Sequence, residues 1–463
     1  MNLHTFLVTL LPEHCLIAAL VLLLGIDIVA KRPRGAAEVT LVLVAAAAVA
    51  AAWLHAAGVT GSPFGDQFIV DPTTSLTKAV VLALAVPVVL LANDEFADSR
   101  FYTLLVSSLY GVCLVLSSGS FLTLFLGLEI MSLPVYVLVL LAYRRPASAE
   151  AALKYLVLSG TATATFLMGA SLVYGASGSL SLGAFHTALA SNSPLAQAAV
   201  VMVVVAFFLK AAIFPFHAWA PDAYEAASVP VTAYMATLIK AAVLLAAVRL
   251  FGDEPVRRPL LDLIAVLPLA SIVWGNLAAI RQESFRRMIA YSSIAHAGYL
   301  FYAFLGEGDT RLQAVAFYLA AYGVMNLLAF AALPPHDDDV QRDRLETMRG
   351  LFHRSPYAAI AIGIAMLSLA GIPPFPGFVA KFLVFKNVIA AGHTTYAVLG
   401  LVASYLGLYF YLRVVQVMFM SSDAAPAPAQ GRAAAPLALA ATALCLAASA
   451  FLAVLPGWLM ARL

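Results

Sequence analysis

Apolar residues fill this chain in fourteen stretches, near 11–30, 37–56, 74–93, 101–117, 119–142, 152–174, 197–219, 227–250, 259–280, 285–305, 311–333, 357–388, 393–420 and 434–461, with short polar joints between them. Most are close to the roughly 20 residues a helix needs to cross the hydrocarbon core of a bilayer. Only helices and closed barrels satisfy every backbone N–H and C=O in lipid. Runs such as Ala198 to Leu209 show no period-two alternation, which selects helices over barrel strands. The pattern predicts an all-α polytopic membrane protein of about fourteen transmembrane helices.

Composition sharpens this. The chain is 63% hydrophobic and 11% charged, where soluble domains carry about 25% charged residues. A net charge of +2 without a dense basic run gives no footprint for nucleic acid. Cys15, Cys113 and Cys445 are far apart in apolar surroundings, so they suggest packing rather than a disulfide or metal framework. The first apolar stretch has Lys31, Arg32 and Arg34 after it and no basic residue before it. That order is the reverse of a signal peptide, and the stretch is expected to remain as a span.

Orientation follows from the basic residues of the joints. With fourteen spans both termini share a side, and 16 of the 26 lysines and arginines fall on the opposite side or its edges, against seven on the terminal side. The bias predicts both termini outside the cytoplasm. His336 to Arg354, with Asp337, Asp338 and Asp339, is expected to be a solvated cytoplasmic loop, and the Ala- and Pro-rich segment Ala424 to Pro436 a linker before the last span.

Charged side chains within spans cost about 2.5–3.5 kcal/mol each on insertion scales, so they face a protein-lined or wet interior. Four stand out: Glu129, Lys210, Lys240 and Lys381. At most one lysine can pair with the single mid-span carboxylate. A buried lysine without an acidic partner is costly to keep charged and can exchange its proton, which points to a proton path. Proline removes a backbone donor and breaks a helix. Pro215 follows Lys210, and Pro373, Pro374 and Pro376 precede Lys381; broken spans in two halves of a transporter mark an ion site. His217 and His296 titrate in the range needed to relay protons, although an isolated histidine can equally be a satisfied packing residue. Tyr291, Ser292, Ser293 and Tyr299 surround His296 in sequence. No nucleotide loop, cysteine cluster or haem-type histidine pair is visible.

Several segments together carry a family likeness: Gly127-Leu-Glu-Ile-Met-Ser-Leu-Pro134, Ala151-Ala-Leu-Lys-Tyr155, Leu209-Lys-Ala-Ala-Ile-Phe-Pro-Phe-His-Ala-Trp-Ala-Pro-Asp-Ala-Tyr-Glu225, Ala290 to Tyr299, and Ser368 to Phe385. The chain resembles the antiporter-like membrane subunits of proton-pumping NADH:quinone oxidoreductase, respiratory complex I, and among them the N type. The M-type sibling usually has glutamate where Lys381 stands, and the L type adds a long lateral helix after the fourteenth span. The resemblance implies two inverted five-span repeats, residues 101–251 and 252–420 (spans 4–8 and 9–13), after an N-terminal three-helix segment 1–100 and before a linker and last helix 421–463.

It further implies that Glu129, Lys210, Lys240 and Lys381 line the proton path, with helix breaks at Pro215, Pro373 and Pro374. His296, His217 and Lys154 are candidate relays or tuning residues. Lys154 lies near the cytoplasmic edge, where a snorkelling lysine is the simpler explanation. No cofactor or metal is expected in this chain; NADH, FMN, iron-sulfur clusters and quinone would belong to partner subunits of a translocase. The expected partners are other membrane-arm subunits, the bilayer and protons, in a bacterial-type plasma membrane. Two other readings stay open, a subunit of a multi-subunit cation/proton antiporter or membrane-bound hydrogenase, and a structural membrane scaffold.

Overall fold

The computed structural model describes residues 3–29, 35–142, 146–252, 256, 260–306, 308–334, 344–420 and 436–462. Lys31, Arg32, Arg34, the Asp337 to Asp339 run and most of the linker before Pro436 lie outside the described residues.

Thirteen helices among the described residues are long and apolar enough to cross a bilayer. We number the spans α1 (Leu11–Val29), α2 (Ala36–Ala56), α3 (Pro72–Ala92), α4 (Ser99–Leu116), α5 (Phe121–Leu140), α6 (Pro146–Ser177) and α7a (Pro194–Ala211), which is followed by the short α7b (Trp219–Ala226). The chain continues through α8 (Val229–Phe251), α9 (Leu260–Ile280), α10 (Phe285–Leu305) and α11 (Asp309–Ala331). The twelfth span is split into α12a (Pro356–Ala370) and α12b (Pro376–Ala390), and α13 (Thr394–Phe419) and α14 (Pro436–Val454) complete the bundle. Counting the two halves of α12 as one crossing, the fourteen apolar stretches correspond to fourteen spans.

Local sequence sets the helix ends. Asp71 caps α3 by accepting from Thr74 N at 2.7 Å while Thr74 Oγ1 accepts from Asp71 N at 2.9 Å, a reciprocal box that satisfies orphan donors. Ser120 and Ser284 cap α5 and α10 from their side-chain oxygens. These caps begin the helices that carry Glu129 and His296.

The spans differ sharply in what surrounds them. The most apolar windows of α1, α2 and α14 are only 28% buried, whereas that of α8 is wholly buried and those of α10 and α11 are 94% buried. The last three therefore form the centre of the bundle, out of reach of lipid. Lys240 lies on α8 and His296 on α10.

Both expected breaks are present, and the first lies earlier than hydropathy alone suggested. The apolar stretch runs on to residue 219, but α7a stops at Ala211 because Ala212 turns into the left-handed region at φ 62° and Pro215 follows. Trp219 Nε1 donates to Leu209 O at 3.1 Å, capturing one carbonyl the break releases. In the twelfth span Gly371 takes φ 85°, a conformation that glycine adopts without strain.

Candidate proton-path site

Glu129 sits midway along α5, and Lys210 in the last turn of α7a, where the negative end of the helix dipole favours a cation. Lys210 Nζ is 3.6 Å from Glu129 Oε1, but its nearer partners are hydroxyls, Ser159 Oγ at 2.8 Å and Ser132 Oγ at 3.3 Å. Thr163 Oγ1 donates to Glu129 Oε1 at 2.5 Å. The ion pair is thus shared among hydroxyls from α5 and α6, which can hold the ammonium as it moves toward or away from the carboxylate. The Lys210 side chain is 7% exposed and that of Glu129 24%, so the acid stands at the edge of the bundle and the base inside it.

Lys240 opens the last segment of α8, directly after a π-helical turn at Met235–Ile239; such irregular turns cluster at functional positions. Its Nζ donates to Ser293 O at 2.6 Å and to Ser293 Oγ. His296 lies three residues further along α10, with Nδ1 2.7 Å from Tyr318 Oη and Nε2 3.1 Å from Tyr411 Oη. Tyr299 follows after another three, its ring edge-on to His296 at 5.6 Å. Positions three apart share a helix face, so Ser293, His296 and Tyr299 form one polar stripe on α10.

Lys381 meets the far end of that stripe. It projects from α12b into the break, where Nζ donates to Ala370 O at 3.0 Å and Ser404 Oγ at 3.2 Å and stands 5.0 Å above the Tyr299 ring. Ala370 is the last residue of α12a, so Lys381 reaches a helix C-terminus from outside the helix, whereas Lys210 reaches one from within. Gly371 keeps the space open: a Cβ there would lie 2.9 Å from Lys381 Cδ. Gly377 allows the half-helices to approach, since its Cβ would fall 1.8 Å from Ser368 O.

Comparison with known proteins places this geometry. A family model described as "NADH:quinone oxidoreductase/Mrp antiporter, TM" matches residues 118–407. The chain belongs to that family. NADH-quinone oxidoreductase subunit N of Pelobacter propionicus is 41% identical over 416 residues, spanning 89% of each chain. Subunit N 1 of Solibacter usitatus is 35% identical over 97% of this chain and 95% of its own. Among solved structures, a chain of respiratory complex I from Thermus thermophilus superposes with a TM-score of 0.84 at 35% identity, covering 97% of this chain and 98% of that one. A chain of the Mrp complex from Dietzia shares the fold, with a TM-score of 0.83 at 24% identity over 100% and 96% of the two chains.

Within this antiporter-like frame the other expected residues stand apart from the stripe. His217 Nε2 accepts from Trp274 Nε1 at 2.9 Å, beside an indole that is 45% exposed, and no hydrogen bond of the described residues joins it to Lys210. Lys154 bonds Asp222 Oδ2 and Glu150 Oε1, each at 2.7 Å. Asp222 also takes Arg287 Nη1 at 2.8 Å, and Arg287 reaches Glu225 Oε2 at 2.8 Å. This ionic cluster ties α7b to α6 and α10. Asp222 and Glu225 lie in the segment that carried the family likeness, but nothing in their spacing predicts Arg287 as a partner.

One buried pair escaped sequence reading altogether. Lys78, counted among the terminal-side basic residues, is enclosed in α3 and meets Glu13 of α1 at 2.5 Å, with both side chains 3% exposed. Hydropathy placed both near span ends, where water or lipid headgroups are the expected company. The partner count is unaffected, because Lys240 and Lys381 have only hydroxyl and carbonyl hydrogen-bond partners among the described residues. No cluster of three or more His, Cys, Asp or Glu side chains suited to a metal forms among those residues.

Proposed function

We propose that this chain is a proton-translocating membrane-arm subunit of an NADH:quinone oxidoreductase, moving protons along Glu129, Lys210, Lys240, His296 and Lys381. The observation that carries the reading is the α10 stripe: Ser293 holds Lys240, His296 lies in the middle, and Tyr299 underlies Lys381. Polar groups three helix positions apart, with a lysine at each end and enclosed by the most buried spans of the bundle, make a route across its interior that lipid does not reach. NADH, flavin, iron-sulfur clusters and quinone belong to partner subunits, and this chain supplies no redox step.

In this scheme, quinone reduction elsewhere biases the Glu129–Lys210 pair. At an effective dielectric near 20, opposite charges about 4 Å apart interact by roughly 4 kcal/mol, so opening or closing one pair changes how firmly Lys210 holds its proton. Lys240 and His296 pass the proton across the centre and Lys381 exchanges it toward the outer face. The two broken spans serve inverted repeats, residues 101–251 and 252–420, in a bacterial-type plasma membrane with both termini outside. Replacing Lys210 or Glu129 with alanine and measuring electron transfer and proton translocation in membranes tests the scheme. Full pumping by an assembled variant complex would rule it out.

A further inference from the structure

His296 is fully enclosed, and its two ring nitrogens face two tyrosine hydroxyls from different helices, Tyr318 of α11 and Tyr411 of α13. Tyr411 Oη is 2.5 Å from Ser292 Oγ, and Ser292 lies one turn before His296 on the same face of α10. The four groups form one hydrogen-bonded series, Ser292, Tyr411, His296 and Tyr318, in which three members are hydroxyls. A hydroxyl can donate or accept, whereas a carboxylate only accepts and an ammonium only donates.

We propose that Tyr411 and Tyr318 form an amphoteric cradle that lets His296 take up and release a proton without moving, making them positioning residues of the path. The inference rests on the function proposed above. With the imidazole neutral and its hydrogen on Nε2, Nε2–H donates to Tyr411 Oη, Tyr411 O–H donates to Ser292 Oγ, and Tyr318 O–H donates to the Nδ1 lone pair. A proton given up by the Lys240 ammonium, which becomes a neutral amine, bonds that lone pair while the Tyr318 hydroxyl swings its hydrogen aside and accepts from the new N–H. On release one N–H bond breaks, its electron pair stays on nitrogen, the proton passes to a neutral Lys381 amine, and the hydroxyl facing that nitrogen turns its hydrogen back. Both nitrogens stay paired in the neutral and the charged imidazole, so neither protonation state leaves a buried ring nitrogen orphaned.

Tyr322 supplies an internal control. It sits one turn from Tyr318 with its ring 4.8 Å from that of His296, but its hydroxyl has no hydrogen-bond partner. Coupled NADH oxidation and proton uptake by the assembled complex in membrane vesicles are to be compared for Tyr411→Phe, Tyr318→Phe, Tyr322→Phe, His296→Ala and His296→Ala with Tyr411→Phe.

The first two variants are expected to lose roughly tenfold in coupled turnover, the cost of one unpaired buried polar group in one protonation state, with complex content unchanged. Tyr322→Phe should match the wild type, and Tyr411→Phe should add no further loss once His296 is alanine. Should a tyrosine variant fail to assemble, Ser292→Ala decides, because it removes only the acceptor of Tyr411 and must also slow turnover. Wild-type turnover in both tyrosine variants, or an equal loss in Tyr322→Phe, overturns the cradle. If His296→Ala and Lys210→Ala lose pumping while the tyrosine variants do not, the cradle falls alone; full pumping in Lys210→Ala removes the function itself.

Discussion

Lys210 Nζ lies closer to the Ser159 hydroxyl, at 2.8 Å, than to the Glu129 carboxylate, at 3.6 Å. An ammonium with a free choice favours the charged acceptor, and hydrogen bonds to charged groups contribute about 1.5–3 kcal/mol. The hydroxyl therefore holds the lysine slightly off its counter-ion. Ser159→Ala removes that competitor and should let the pair tighten. The expected result is roughly a tenfold or greater fall in coupled proton pumping, with electron transfer to an artificial acceptor and complex content preserved. Unchanged pumping would mean that Ser159 only fills space between α5 and α6.

The break in the twelfth span offers a way to move Lys381 without removing its charge. Gly371 is left-handed at φ 85°, and an added Cβ meets the lysine chain at Cδ. Gly371→Ala should displace Nζ from Ala370 O and Ser404 Oγ at a stability cost of about 1–2 kcal/mol for the backbone conformation. Proton translocation should fall well beyond what the lost stability explains. Purified variant complex with a lower melting temperature but full pumping per NADH would separate the lysine's position from its role.

The sequence made the spans legible because hydropathy acts over whole helices: a stretch of apolar residues has few alternatives in a bilayer. It also exposed Glu129, Lys210, Lys240 and Lys381, since charge within apolar runs is conspicuous. Their partners were not legible. Ser159, Ser132, Thr163, Ser404 and Tyr411 are ordinary helix residues, and only the packing of α5 on α6, or of α13 on the α12 break, shows which hydroxyls turn inward. His217 shows the limit of chain order: it follows Lys210 by seven residues, but beyond the turn at Ala212 its Nε2 accepts from Trp274 Nε1. Glu13 and Lys78 went unnoticed because pairing across 65 positions leaves no local signal.

Asp222 joins α7b to two other helices through Lys154 and Arg287, while Trp219 at the start of α7b stacks on Tyr155 at 4.3 Å and 9°. The ion pairs are partly exposed, so each is a modest restraint. Asp222→Asn should raise hydrogen exchange across residues 219–226 by roughly two- to fivefold, in line with the small worth of such pairs, and leave α5 unaffected. Equal exchange in both proteins would assign the docking of α7b to the aromatic stack alone.

Glu13 and Lys78 make the strongest stability prediction. Their 2.5 Å contact is almost wholly buried, Phe68 lies 4.7 Å beneath the ammonium, and Glu13 Oε2 has no partner. Removing one member of such a pair strands a charge in a low dielectric and costs about 3–5 kcal/mol, whereas replacing both with apolar groups of similar size is often neutral. Glu13→Leu and Lys78→Met should each lower the melting temperature of the detergent-solubilised complex and reduce assembled subunit in membranes. The double variant should recover most of the loss, a coupling that a double-mutant cycle measures directly. Both helices lie outside the polar stripe of α10, so the recovered double variant should pump at the wild-type rate. Additive destabilisation would show that the two side chains act independently, and lost pumping in a stable double variant would place the pair in the path itself.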